Sequence, residues 1–177
     1  MAATAVSEGH ARVRGEDLIR AIKRAGVRFI VALPDRTTTE NVLKPLLRDP
    51  EVRVIQVCKE DEGISICAGL YAAGQKSVMM MQFTGLLDSV NTLRGVAVEG
   101  KNPVCMIVGL LNKEPGISPS QSKRYSVRIV EPILDAMGIE HHLVESDGEA
   151  DKVTALIEAA YERSAPVAVL IGAEPRP

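Results

Sequence analysis

The chain has 177 residues, enough to bury one sizeable core and most economically read as a single domain. With 46% apolar and 25% charged residues and a net charge of −2, it lacks the basic field that attracts nucleic acid or an anionic membrane. Trp is absent and there are only three Tyr and two Phe, so base-stacking platforms are excluded too, and no apolar run approaches the ~20 residues of a membrane helix.

In chain order, residues 1–9, MAATAVSEG, read as a loose tail, and residues 10–177 as one α/β domain. Leu18, Ile19, Ile22 and Ala25 recur at helical spacing and stop at Gly26. A first strand-like run, VRFIVAL (27–33), follows, then RVIQVC (53–58), a helix starting near Glu60, SVMMMQ (77–82), and PVCMIVG (103–109). The irregular stretch NKEPGISPSQSKR (112–124) reads as a mobile loop. Beyond it lie EHHLV (140–144), a helical stretch with Val153, Leu156, Ile157, Ala160 and Tyr161, and PVAVLIG (166–172). Most of these strands lack polar alternation, the mark of strands covered on both faces. The alternation predicts a three-layer αβα fold with six mostly parallel strands and helices on both faces.

Ligands in such sheets sit beyond the carboxyl ends of the strands. Those ends are Leu33-Pro34-Asp35, Cys58-Lys59-Glu60, Gln82-Phe83-Thr84-Gly85 and Gly109-Leu110-Leu111. No GxGxxG, GxxxxGK[ST] or GxSxG string is present, which argues against dinucleotide, P-loop and serine-hydrolase sites. His141 and His142 are adjacent at a strand start and point to opposite faces, a poor arrangement for a metal. The three cysteines form no CxxC pair and no apolar leader opens the chain, which together read as a reduced cytoplasm.

The string CKEDEGISICAGLYAAG (58–74) holds three acids before an apolar run. On a helix starting near Glu60, residues 60, 64, 67 and 71 share one face, so Glu60 lies on the stripe of Ile64, Cys67 and Tyr71. Asp61 and Glu62 project elsewhere and serve the helix dipole. For Glu60, spacing alone leaves two readings open: a dipole partner, or a functional carboxylate at the mouth of the sheet, where burial is costly without a partner.

Three ordered strings carry a resemblance. Glu60 is followed by Gly69 in E-x8-G-x-Y-A-A-G; Gly85-Leu86-Leu87-Asp88-Ser89-Val90-Asn91 is similar to GxGxxxN; and Pro103 to Gly109 is similar to a PVxxIxG strand. Together they resemble the pyrimidine-binding domain of thiamine diphosphate enzymes. Within that superfamily, Leu33-Pro34-Asp35, Leu43-Lys44-Pro45, Met81-Gln82-Phe83-Thr84-Gly85-Leu86, Val90-Asn91 and Glu114-Pro115-Gly116 are most similar to the sulfopyruvate decarboxylases, especially their alpha subunits, and the phosphonopyruvate decarboxylases. The likeness covers residues 15–172.

The resemblance implies a carboxy-lyase that decarboxylates a small 2-oxo acid with thiamine diphosphate. It makes Glu60 the catalytic residue, hydrogen-bonded to N1′ of the aminopyrimidine, and Pro34, Gln82, Thr84, Gly85 and Leu86 its neighbours around that ring. It places Asp35 at the substrate, although an Asp before threonines is also an ordinary turn residue. Leu87 stands where many relatives have glycine, and Asn91 reads as a tie between loop and helix. Lys113, Lys123 and Arg124 are either anion-attracting or merely solvated loop charges. The diphosphate-binding GDG…N pattern is missing, since Ser146-Asp147-Gly148 is the nearest string and no Asn follows it. The resemblance therefore implies a beta subunit that carries GDG…N and Mg²⁺, in an assembly of at least two alpha–beta pairs. Alternatives are a subunit acting on phosphonopyruvate or another 2-oxo acid, and a non-catalytic binding or scaffold domain of the same fold.

Overall fold

A computed structural model of the chain describes residues 12–177; the expected tail, residues 1–9, lies outside them. Helix α1 (Gly15–Arg24) leads to strand β1 (Phe29–Ala32), and a π-helical turn (Thr39–Leu43) runs into α2 (Lys44–Leu47) and β2 (Arg53–Gln56). Next come α3 (Glu60–Ala72), β3 (Ser77–Gln82), α4 (Phe83–Asp88), the short turn α5 (Val90–Thr92), a π-helical segment (Leu93–Glu99) and β4 (Cys105–Gly109). The second half holds α6 (Tyr125–Arg128), α7 (Val130–Ala136), β5 (Glu140–Val144), α8 (Ala150–Arg163) and β6 (Val167–Ile171). All six expected strands are present and all pair in parallel, in the order β2-β1-β3-β4-β6-β5.

The continuous apolar runs are divided between two cores by the two-residue period of a strand. Ile30, Ala32, Val78, Met80, Cys105, Ile107, Val167, Val169 and Ile171 face α1, the Thr39–Leu43 turn and α8. Val31, Met79, Met81, Met106, Val108, Ala168 and Leu170 face α3, α4 and α7. Each fully buried Val, Leu, Ile or Met contributes on the order of 1.5–3 kcal/mol. This burial drives the layers together more strongly than any single polar contact. Burial on both faces also explains why the four inner strands show no polar alternation.

Chain direction sets the site. From β1 the chain crosses to β2 on one side, then returns past β1 to β3 on the other. At such a reversal the crossover helices diverge to opposite faces and leave a crevice beyond the carboxyl ends. The β1/β3 junction is therefore the place where the fold itself opens a site.

Gly15 shows how closely α1 seats on this frame. A Cβ there would stand 1.9 Å from the Asn41 carbonyl oxygen, which is backbone. Ala is favoured over Gly within a helix by about 1 kcal/mol, whereas forcing extra atoms against packed backbone costs about 1–3 kcal/mol. Gly15→Ala is expected to lower the urea midpoint, and a raised midpoint would show that α1 can back away at no cost.

Candidate active site

Three neighbouring strands, β3, β4 and β6, end at or near a glycine, and a carboxylate lies on each. Cβ atoms built on Gly85, Gly109 and Gly172 would stand 2.0 Å from Glu60 Oε1, 2.6 Å from Asp35 Oδ1 and 2.4 Å from Glu145 Oε1. Any side chain at these positions would occupy the space of an acid.

The three acids differ in what binds them. Asp35 is buried, and its Oδ1 accepts the Thr37 and Thr38 backbone N–H groups while its Oδ2 accepts the Thr38 hydroxyl. Glu145 accepts the Lys113 ammonium at 2.6 Å, and that lysine side chain has no exposed surface. Glu60 is half-buried, and among the described residues no donor reaches its carboxylate. Of the three acids on glycines, Glu60 alone keeps its lone pairs free.

Local structure explains this. Lys59 is extended and precedes the first helical residue, so Glu60 starts α3 with its side chain over α4. Ile64 and Cys67 continue its face into the core, as the helical phase predicts, and Tyr71 is half-buried. The other two acids are used locally: Glu62 accepts the Cys58 N–H, and Asp61 accepts the Glu62 N–H. Lys59 bridges Asp61 at 3.2 Å and Asp88 at 3.4 Å, fastening the start of α3 to the end of α4. Its hydrogen bonds to those two acids hold the Lys59 ammonium above its ordinary pKa. Burial pushes the Cys67 thiol up to about 11, so this cysteine is an inert core residue.

The remaining expected residues gather at the same edge. Gln82, the last residue of β3, pairs in register with Gly109, and its side-chain amide donates to the Thr84 hydroxyl at 3.1 Å. Gly85 and Leu86 are buried, Thr84 and Pro34 exposed. Leu86 is buried whole, side chain and backbone, so this expected cofactor neighbour presents no surface at the carboxyl edge. The glycine-like loop takes the form of helix α4, because Leu87 packs with Leu86 against the α3-side core. Asn91 accepts a bond from Arg94 one turn on, a tie within the helical layer.

The stretch 112–124 departs from the expected mobile loop. Its first lysine is buried under it, and Glu114 accepts the Ser122 hydroxyl at 2.7 Å and the Lys123 N–H at 3.1 Å. Arg128 holds the Ser122 carbonyl from α6. The charge of Lys113 is thus spent on Glu145, while Lys123 and Arg124 stay exposed. Sequence gave no warning, because the partner of Lys113 lies 32 residues away. Asp147 pairs with Arg176 and Gly148 turns the chain at φ +86°, so Ser146-Asp147-Gly148 forms a surface turn. Among the described residues no cluster of His, Cys, Asp or Glu suits a metal, and no helix is long and apolar enough to cross a membrane.

No protein-family profile matches the chain. It is 33% identical over 93 residues to the sulfopyruvate decarboxylase subunit alpha of Methanococcus maripaludis, a match spanning 52% of this chain and 55% of that protein. To the protein of the same name from Methanocaldococcus jannaschii it is 28% identical over 157 residues, 88% of this chain and 91% of the relative. The resemblance read from the three motifs is borne out. The fold is shared with a 2-oxoglutarate:ferredoxin oxidoreductase from Magnetococcus marinus, at a TM-score of 0.66 and 20% identity, over 95% of this chain and 32% of that one.

Glu114 sets an acid limit on the loop. Its hydrogen bond from Ser122, helped by the Lys123 N–H and the Lys123 charge, holds its carboxyl below the ordinary value of 4.5. A depressed folded-state pKa gives stabilisation that is complete above the ordinary carboxylate pKa and lost as pH falls through the folded value. Hydrogen exchange at the Lys123 amide, corrected for intrinsic rate, is expected to accelerate as pH falls below the ordinary carboxylate range, and Glu114→Gln to remove that acid step.

Proposed function

We propose that this chain is the alpha, pyrimidine-binding subunit of a thiamine diphosphate-dependent sulfopyruvate decarboxylase, a carboxy-lyase converting sulfopyruvate to sulfoacetaldehyde and CO2. The observation that carries the proposal is the Glu60 carboxylate, seated on Gly85 at the β1/β3 crevice with no donor to it among the described residues. The similarity to sulfopyruvate decarboxylase alpha subunits supports the substrate. Residues 10–177 act as one domain, in a cytoplasmic heteromer of at least two alpha–beta pairs. The partner subunit contributes GDG…N, the diphosphate site and its Mg²⁺.

The residues present fit the pyrimidine end of the cofactor. A ring nitrogen sharing a proton needs a free carboxylate on a low-dielectric wall, and Glu60 has Ile64 and Cys67 behind it and Gly85 below. When bound, the cofactor supplies the electron sink for loss of CO2 from a 2-oxo acid. Glu60 would hold a proton at its carboxylate, facing ring nitrogen N1′ of the bound cofactor. Pro34, Gln82 and Thr84 would bound the ring edge, with Gly85 keeping the α4 backbone close beneath Glu60. Asp35 serves the substrate side by holding its own turn in shape.

The test is co-expression with a partner carrying GDG…N and assay of CO2 release from sulfopyruvate, phosphonopyruvate and pyruvate. Glu60→Gln is expected to lower kcat by about 10²–10⁴-fold. Gly85→Ala, whose methyl displaces that carboxylate, should approach the same loss. Full turnover by Glu60→Gln would sink the assignment, and release of CO2 from phosphonopyruvate alone would transfer it to that substrate.

A further inference from the structure

The Asp35–Thr38 turn carries an unspent hydrogen-bonding group that is not its acid. Asp35 accepts three hydrogen bonds from Thr37 and Thr38, and a carboxylate that only accepts has nothing to offer an anion. Beside it the Thr37 hydroxyl is buried and has no hydrogen-bond partner among the described residues, in a residue only 4% exposed. Its position is fixed by β4: a Cβ on Gly109 would stand 2.7 Å from Thr37 Cβ and 2.9 Å from Thr37 Oγ1. Gly109 is paired with Gln82, so the hydroxyl sits at the carboxyl edge among the groups assigned to the cofactor. Thr39 Oγ1 is unpartnered as well, but no contact ties it to that edge.

Leaving a buried hydroxyl unpaired costs about 1–3 kcal/mol, so a fold that keeps one at its crevice leaves it for something to use. With Oγ1 held in place, the hydroxyl hydrogen is still free to turn about the Cβ–Oγ1 bond toward an acceptor. A neutral donor suits the substrate. A 2-oxo acid with a second acidic group is a dianion, and a bare carboxylate facing it would repel it.

We infer that the Thr37 hydroxyl, held in place by the Asp35 turn and Gly109, donates to an anionic oxygen of the 2-oxo acid and is a substrate-binding group of this site. The inference rests on the decarboxylase reading and deepens it. Thr37 binds the acid, and Asp35 positions Thr37.

The experiment uses the reconstituted alpha–beta complex with sulfopyruvate, together with the free chain. Thr37→Val is expected to lower kcat/KM about 10- to 100-fold, chiefly by raising KM, because a hydrogen bond to a charged group is lost. Thr37→Ser should recover to within about threefold, and thiamine diphosphate affinity should stay unchanged. In the free chain, Thr37→Val should unfold at the wild-type temperature or higher, since an unpaired buried hydroxyl is removed. A wild-type KM in Thr37→Val would overturn the inference, as would a loss of activity accompanied by a lowered unfolding temperature. A wild-type complex that binds thiamine diphosphate but releases CO2 from no 2-oxo acid would overturn the functional reading itself, and with it the inference.

Discussion

Close approach of acids to backbone governs the carboxyl edge of this sheet. Glu60, Asp35 and Glu145 each lie where a side chain at Gly85, Gly109 or Gly172 would otherwise be. A parallel sheet covered on both faces presents strand ends and loops at this edge, and without those glycines the loops would ride a methyl group higher. The three acids would then be pushed outward, toward water. Glycine at the ends of adjacent strands is what draws charged groups onto the sheet.

Drawing them in has an energetic consequence that differs from acid to acid. A buried carboxylate without donors is costly, so the fold supplies threonine N–H and hydroxyl groups to Asp35 and a wholly buried ammonium to Glu145. The Lys113–Glu145 pair spans the ends of β4 and β5 and fastens the 112–124 stretch at its start. Its loss would leave one charge buried and unpaired, which costs more than the pair itself contributes. Glu60 receives no such compensation, and its position at the first turn of α3 supplies only the favourable end of the helix dipole. That imbalance is tolerable because the group is half-buried and water still reaches it.

The inner strands were legible in the sequence because strands covered on both faces write themselves as unbroken apolar runs, as SVMMMQ does for β3, whereas EHHLV matches β5 end to end at the part-exposed sheet edge. Glu60 was legible too, because helical phase places it on the stripe of Ile64 and Cys67 while sending Glu62 to solvent. What stayed hidden depends on partners far along the chain. Nothing near Lys113 announces that Glu145 will bury it, and nothing in Pro34-Asp35-Arg36-Thr37 tells which of its polar groups is already bonded. Leu87, which stands where many relatives have glycine, packs its apolar side chain against the core from α4, a role its position in the motif did not announce.

The contrast among the three acids also bears on why such a site is left open. In a finished pocket a carboxylate would be compensated by the protein's own donors, as Asp35 and Glu145 are. Glu60 is compensated by none among the described residues, and a charge-assisted hydrogen bond from a ring nitrogen becomes stronger as surrounding water is removed. A second chain closing over the carboxyl edge would remove that water, and the same event would bring the diphosphate half of the cofactor into place. On that reading the cost of an unpaired Glu60 in the lone chain is low because water stands in. Under the proposed function the cofactor ring would take over on assembly, so that burial and chemistry would arrive together.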